Sequence, residues 1–307
     1  MKKKVKINLK VKLAVLTLDN PVVCAYGSFG FGEELRGLVN FKNIGAIITK
    51  TITLLPRAGN PPPRIYETGC GVMNSVGLEN PGLDGVIKEK LPLLQKLPTS
   101  CIVSVGGFTS EEYQGIVEEL EGKRGIDGYE INLSCPNLRL KRMISQSEAA
   151  TYKLTKALRK LTKRPLFIKI SPEVTDIVKT AYAVEAGGAD AVSLVNTFLS
   201  MAIDIETQKP FLGSIYGGYS GRAIKPLSLY RVWRVAQNIK IPVIGGGGIE
   251  STSDAIEFIL AGAIAISLGT VNLAFPNQAS QIVEGIKKYM KRENITDINK
   301  LRGKVDA

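Results

Sequence analysis

Eight short runs of β-branched and apolar residues recur along this chain, each followed by a stretch of helical period, and that alternation narrows the fold more than any other feature. The runs are Val22 to Ala25, Ala46 to Thr49, Cys101 to Val105, Gly128 to Leu133, Leu166 to Ile170, Ala191 to Val195, Pro242 to Ile244 and Ala263 to Leu268. The intervening segments Glu33 to Asn40, Leu83 to Leu97, Ser110 to Leu120, Ser147 to Leu161, Thr175 to Ala186, Leu227 to Gln237, Ser253 to Leu260 and Gln278 to Lys291 are predicted helices. Buried parallel strands joined by amphipathic crossover helices read this way. Eight such units predict an α/β fold, a closed (β/α)8 TIM barrel.

With 307 residues the chain can bury one such core. The expectation is a single domain over residues 1–307, with 1–18 as an N-terminal β-ribbon. There Lys2, Lys3, Lys4, Lys6, Lys10 and Lys12 alternate with Val5, Ile7, Leu9 and Val11. A solvated edge ribbon protected by its lysines fits that period of two. A doubly wound open sheet is the alternative, but Gly27-Ser28-Phe29-Gly30-Phe31-Gly32 lacks the GxGxxG spacing its first turn would carry.

In a barrel the loops leaving the C-terminal strand ends build the active site. Three are long, Lys50 to Gly82, Ser134 to Gln146 and Asn196 to Pro226, and these are expected to cover one pocket.

What that pocket can do is bounded by composition. The chain has no histidine, which removes imidazole bases, serine–histidine pairs and histidine-held metals, so no metal site is expected. Proton transfer would fall to Cys, Lys, Tyr, Asp or Glu. Cys24, Cys70, Cys101 and Cys135 form no CxxC pair, so no zinc or iron–sulfur ligand set is legible, and reduced thiols in a cytoplasmic protein fit best. The net charge of +12 points to an anionic ligand. The run from Leu13 to Leu18 is far short of the roughly 20 residues of a membrane span and is no signal-peptide core, so no membrane association is expected.

Two strand ends are rich in glycine: Gly245-Gly246-Gly247-Gly248-Ile249 and Leu268-Gly269-Thr270. Four glycines alone make a tight turn; paired with Gly269 and Thr270 at the next strand end, they fit the phosphate site common after strands seven and eight of barrels. Lys50 and Lys169 stand among apolar neighbours at strand ends, where a shared anionic ligand explains them better than two surface lysines. A cation beside the N1 to C2=O edge of an isoalloxazine favours its reduction, and either lysine suits that place.

The fourth run leads into Asn132-Leu133-Ser134-Cys135-Pro136-Asn137, which puts a thiol on a polar loop at the barrel mouth. Cys24 and Cys101, inside apolar strands, read as small buried hydrophobes, whereas Cys135 reads as the reactive one. Asn74, Asn132, Asn137 and Asn196 share the same rim, and carboxamides suit a cyclic imide or ureide because they both donate and accept. Singly, each is as well explained as a turn or cap residue.

These residues together resemble class 1 dihydroorotate dehydrogenases, especially the NAD-linked subclass, over nearly the whole chain. The most specific segments are Gly59-Asn60-Pro61-Pro62-Pro63-Arg64, Met73-Asn74-Ser75-Val76-Gly77-Leu78-Glu79-Asn80-Pro81-Gly82, Asn132 to Asn137, and Gly217-Gly218-Tyr219-Ser220-Gly221 followed by Ala223-Ile224-Lys225-Pro226. The resemblance implies FMN held by Lys50, Thr51, Ser104, Asn132, Lys169, Val195, Gly221, Gly247, Gly248, Gly269 and Thr270. It implies orotate contacts from Lys50, Asn74, Ser75, Val76, Gly77, Leu78, Asn132, Asn196 and Thr197. Tyr26 stands where the family carries a small residue, usually serine, and Ser104 where it often has asparagine; both bear on single flavin contacts.

The resemblance further implies oxidation of dihydroorotate to orotate in pyrimidine biosynthesis, with Cys135 taking the C5 proton while the C6 hydride passes to flavin N5. It implies an iron–sulfur flavoprotein electron-transfer partner and a homodimeric core within a hetero-oligomer. A dihydropyrimidine dehydrogenase-like enzyme is the nearest alternative, but it typically has histidine where Asn137 stands. A non-catalytic anion- or RNA-binding barrel rests on charge alone, and no aromatic residues interleave with the basic clusters to support nucleic acid as a partner.

Overall fold

Runs rich in Val, Ile and Leu become buried strands when both sheet faces are covered, and seven of the eight barrel strands are buried throughout. The computed structural model describes residues 7–133 and 143–305. Its strands, in chain order, begin with a hairpin of β1 (Val11–Leu13) and β2 (Leu16–Leu18), followed by β3 (Val22–Cys24), β4 (Ala46–Ile48), β5 (Ile65–Thr68) and β6 (Gly71–Asn74). Then come β7 (Ser100–Val105), β8 (Gly128–Asn132), β9 (Leu166–Lys169) and β10 (Ala191–Leu194). The short β11 (Phe198–Ser200), β12 (Ile203–Asp204), β13 (Lys209–Pro210) and β14 (Gly217–Ser220) precede β15 (Val243–Gly246) and β16 (Ala265–Leu268).

Eight of these close a parallel barrel in the order β10-β15-β16-β3-β4-β7-β8-β9, and all eight coincide with the runs read from sequence. Outside it, helices turn one apolar stripe inward, as in Gln278–Arg292, which buries Ala279, Ile282, Val283, Ile286 and Met290. Helix starts carry their own caps: Thr109 Oγ accepts from Glu112 N–H at 3.3 Å while Glu112 accepts from Phe108 N–H at 2.6 Å.

One predicted helix fails. Between β3 and β4 there is a 3-10 turn at Glu33–Leu35 and another at Phe41–Asn43, not a helix over Glu33 to Asn40. Gly32 and Gly37 sit at φ 83° and 82°, in the left-handed region, and break the helix at both ends of its first turns. The predicted Leu83 to Leu97 helix contains a π-type turn at Val86–Lys90 between two short α segments.

The ribbon read over residues 1–18 is an antiparallel hairpin from Val11 onward, with Leu9, Val11 and Leu13 buried and Lys10 and Lys12 exposed. Rather than forming a bare edge, its entering strand bridges in parallel to Asp297 through Asn8. Residues 1–6 lie outside the described residues.

The long loops after β4 and β10 join each other. β5 and β6 from the first, and β11 and β14 from the second, form one antiparallel sheet in the order β11-β14-β6-β5, with Gly218 opposite Asn74. Ile65, Asn74, Gly218 and Leu199 lie in one row across it. All four line the cleft at the barrel mouth, so this sheet is a wall of the cleft.

Candidate active site

The cleft encloses about 1080 Å³, room for more than one small ligand. Its base is formed by strand ends. β15 runs into Gly247 at φ 113° and Gly248 at φ 79°, conformations that side chains resist, and a Cβ on Gly248 would stand 2.7 Å from Lys225 N. Gly269, after β16, is different: a Cβ there would meet no atom within 4 Å, only the open cleft. Thr270 lines the cleft beside it. Backbone here is bare where a ligand can approach, as a phosphate requires.

The wall opposite is polar. Thr49 N–H donates to Ile102 O at 2.9 Å and Ile52 N–H to Ser104 O at 2.9 Å, so residues 49–52 continue along the rim. Lys50 lies within that stretch and faces the cleft. Burial draws its pKa below the usual lysine value, with Glu79 opposing and Arg64 adding to that effect. Thr51 Oγ1 is 2.8 Å from Ser104 Oγ and accepts from Asn132 Nδ2 at 3.5 Å. Ser104 and Asn132, both fully buried, therefore stand behind Thr51 and brace it.

Lys169 ends β9 opposite Asn132 in register. It is 6% exposed, lines the cleft, and holds its ammonium 4.3 Å from the centre of the Tyr26 ring. Val195, Asn196, Thr197 and Gly221 complete this side; Val195 N–H donates to Gly246 O at 3.3 Å and Thr197 N–H to Asn196 Oδ1 at 2.9 Å.

The Asn74–Leu78 segment is shaped from behind. Asn60 gives its Nδ2 to Ser75 O at 3.0 Å and its N–H to Val76 O at 3.1 Å; Arg57 Nε reaches Gly77 O at 3.2 Å and Asn80 Nδ2 reaches Leu78 O at 2.7 Å. A planar trans peptide points its N–H away from its carbonyl. The N–H groups of Val76, Gly77 and Leu78 therefore point away from these donors, and none finds an acceptor among the described residues. Three successive N–H groups without an acceptor among the described residues, in the cleft that Lys50 also lines, are an arrangement suited to an anion. The Gly59-Asn60-Pro61-Pro62-Pro63-Arg64 motif thus buttresses that site, because Arg64 Nε holds Asn60 O at 2.6 Å and its NH1 pairs with Glu79 at 2.8 Å.

Cys135 lies outside the described residues. The chain reaches that segment from Leu133 and is next described at Met143, which lines the cleft. Burial pushes the Cys101 thiol up to about 12, with Asp127 adding to it, and burial raises Cys24 further. Neither can serve as a base near neutral pH. Cys70 is exposed, in the turn between β5 and β6.

The sequence reading missed Arg57 and Phe108, which meet in the cleft with the guanidinium 4.7 Å from the ring centre, and the hydroxyls of Ser193 and Ser267. Both serines sit inside otherwise apolar strands, a signal that was available. The wall residue Arg57 gave none, because its position depends on the fold of a loop.

A closed (β/α)8 barrel with bare glycine backbone at its last two strand ends and lysines on its walls defines a class: barrels that anchor a phosphate-bearing ligand at the C-terminal mouth. Comparison with known proteins sharpens this. A family model described as Dihydroorotate dehydrogenase matches residues 8–290. The chain belongs to the dihydroorotate dehydrogenase family. It is 46% identical over 303 residues to the dihydroorotate dehydrogenase B (NAD(+)) catalytic subunit of Thermoanaerobacter pseudethanolicus, covering 98% of this chain and 100% of that one. The protein of the same name from Desulforamulus reducens is 45% identical over 299 residues, covering 97% and 98%. That from Geobacter metallireducens is 46% identical over 297 residues, covering 96% and 97%.

FMN, the cofactor this family implies, fits the residues present. Gly269 leaves open the space a side chain would fill, Ser267 Oγ is buried at the cleft with no hydrogen-bond partner among the described residues, and Lys169 is a buried cation without a carboxylate there. Each is costly without a ligand and explained by one with a phosphate and a polar ring edge.

Proposed function

We infer that the chain oxidises dihydroorotate to orotate in pyrimidine biosynthesis, with FMN as its cofactor. The observation that carries the substrate is the anion site formed by the Val76, Gly77 and Leu78 N–H groups beside Lys50, because a carboxylate is what distinguishes dihydroorotate from uracil-type rings. Dihydropyrimidines would leave Lys50 and three donors unmet, which costs binding.

Bound FMN supplies the hydride acceptor. Gly247, Gly248, Gly269 and Thr270 give backbone donors to its phosphate, with Gly221 beside them; Val195, Lys169, Thr51 and Lys50 hold its ring, and Ser104 and Asn132, expected as direct contacts, act from behind by bracing Thr51. Lys50 and the 76–78 N–H groups fix the substrate carboxylate. Asn74 and Asn196, with Ser75 and Thr197, meet the imide edge of the ring, each carboxamide able to donate and accept. Asn74 is held for this by donating Nδ2 to Gly218 O at 3.3 Å.

Cys135 takes the proton from substrate C5. A thiol, with an ordinary pKa of about 8.5, is nearer neutrality than an unperturbed carboxylate or lysine. The wall sheet limits water at the site, which strengthens every charge inside it.

Relatives named as catalytic subunits with NAD(+) support a separate subunit that takes the electrons onward. That subunit is proposed to be an iron–sulfur flavoprotein, and the catalytic chain to form a homodimeric core in the cytoplasm. Among the described residues no helix is long and apolar enough to cross a membrane. One continuous apolar core, from Leu9 to Leu301, supports a single domain over residues 1–307.

The test is the anaerobic visible spectrum of the purified protein. Flavin absorbance that bleaches with dihydroorotate and not with dihydrouracil is the expected result. Bound flavin that stays oxidised would sink the substrate, and a protein that takes up no FMN would sink the cofactor.

A further inference from the structure

Tyr26 follows β3, and Lys169 ends β9. In the closed order of the barrel those two strands stand four apart among eight, so the two side chains meet across the mouth from opposite walls. The ammonium lies 4.3 Å from the ring centre, within the range at which a ring face attracts a cation. Lys169 is 6% exposed and pairs with no carboxylate among the described residues. An ammonium removed from water needs a counterpart, and among the described residues the aromatic face of Tyr26 supplies one. A serine at position 26, with one heavy atom beyond Cβ, could not span the mouth.

We propose that Tyr26 is a positioning residue for Lys169. Its ring holds the ammonium in the cleft, away from water, so that the charge acts on the flavin edge that turns negative on two-electron reduction. The enzyme's preference for reduced over oxidised FMN rises accordingly. The proposal rests on the reading of this cleft as an FMN site.

The experiment compares FMN affinity and the two-electron midpoint potential of the holoenzyme in the parent, Tyr26→Phe, Tyr26→Leu and Tyr26→Ser proteins. The Phe variant keeps the ring face and is expected to keep the parent potential. The Leu and Ser variants are expected to lose about tenfold in the preference for reduced flavin, a fall of roughly 30 mV for a two-electron couple. In a Lys169→Met background, Tyr26→Leu is expected to change nothing further.

Unmoved potentials in the Leu variant overturn the proposal. So does an equal fall in the Phe variant, which would assign the effect to the hydroxyl, or a further fall in the Lys169→Met background, which would place Tyr26 directly on the flavin. Should Tyr26→Ser fail to retain FMN, the bulkier Leu variant decides. A parent protein that binds no FMN defeats the cofactor reading and this proposal together; a parent that binds it, with potentials indifferent to Leu, removes only the role of Tyr26.

Discussion

Lys225 Nζ lies 2.7 Å from Asp254 Oδ1, a bond that ties the start of the Lys225–Ala236 helix to the first turn of the Thr252–Leu260 helix. The same ammonium reaches Glu257 at 3.0 Å. Between these helices in sequence runs the Gly247-Gly248 turn, packed directly against Lys225 backbone. Lys225→Met should therefore loosen a proposed phosphate-binding turn it does not itself chemically need. The expected result is roughly a tenfold weaker FMN affinity, about 1.4 kcal/mol, with unchanged far-ultraviolet circular dichroism; an unchanged FMN titration would refute it.

The same pair gives a pH signature. Burial by itself would raise Asp254, but hydrogen bonds from Lys225, Ser251 and Glu250 N–H outweigh it and hold the carboxyl below its usual range. A depressed carboxylate stabilises the fold above its unfolded pKa of about 3.9, and that contribution is lost as pH falls through the folded value. Asp297 is lowered too, chiefly by Asn299 N–H. Thermal midpoints should be flat on this account from neutral pH down to about 4 and fall below it; in Lys225→Met the fall should be shallower, because much of the depression of the Asp254 carboxyl that drives it is gone.

Lys50 behaves in the opposite sense. Burial lowers its pKa, so its ammonium, and with it the attraction for a substrate carboxylate, disappears at a lower pH than an exposed lysine would allow. We expect kcat/KM for dihydroorotate to decline on the alkaline side below the ordinary lysine value of about 10.4. Lys50→Met should remove that limb and raise KM, as pH profiles of both proteins would show.

Two glycines should part company when given a methyl group. Gly269→Ala projects into open cleft, so its thermal midpoint without flavin should match the parent while FMN binding drops at least tenfold. Gly248→Ala combines φ 79° with a Cβ placed 2.7 Å from Lys225 N; a destabilisation of about 1–3 kcal/mol should accompany any loss of flavin. Denaturant melts with and without FMN separate the two cases.

Cys135→Ala should retain FMN and lose about 10²–10⁴ in turnover, the usual contribution of a positioned base. Full turnover in single-substrate assays would return the search to another group.

The barrel was legible because each strand is a local event: Ala191–Leu194 or Ala265–Leu268 is apolar but for one serine whatever surrounds it, as burial of both faces requires. Candidate site residues at strand ends, such as Lys50, Lys169 and Gly269, were legible for the same reason. The helix expected over Glu33 to Asn40 does not form because the left-handed Gly32 and Gly37 outweigh the apolar spacing around them. Ser104 and Asn132 carry the residue types of ligand contacts, yet they are enclosed behind Thr51, a depth no linear pattern states. The wall sheet was invisible for a different reason. Its strands are short, and the pairing of β6 with β14 that joins its halves links two distant loops.

That pairing also orders events in time. Asn74 and Gly218 are 144 residues apart, and a chain emerging from the ribosome makes its N-terminal part first. Until Ser220 has been synthesised, β6 has no β14 to pair with, and until Leu268 follows, β16 cannot close the ring onto β3. A nascent chain that already carries Lys50 and the 76–78 loop therefore still lacks Gly269 and Thr270, and with them the strand that closes the ring on which the cleft is built.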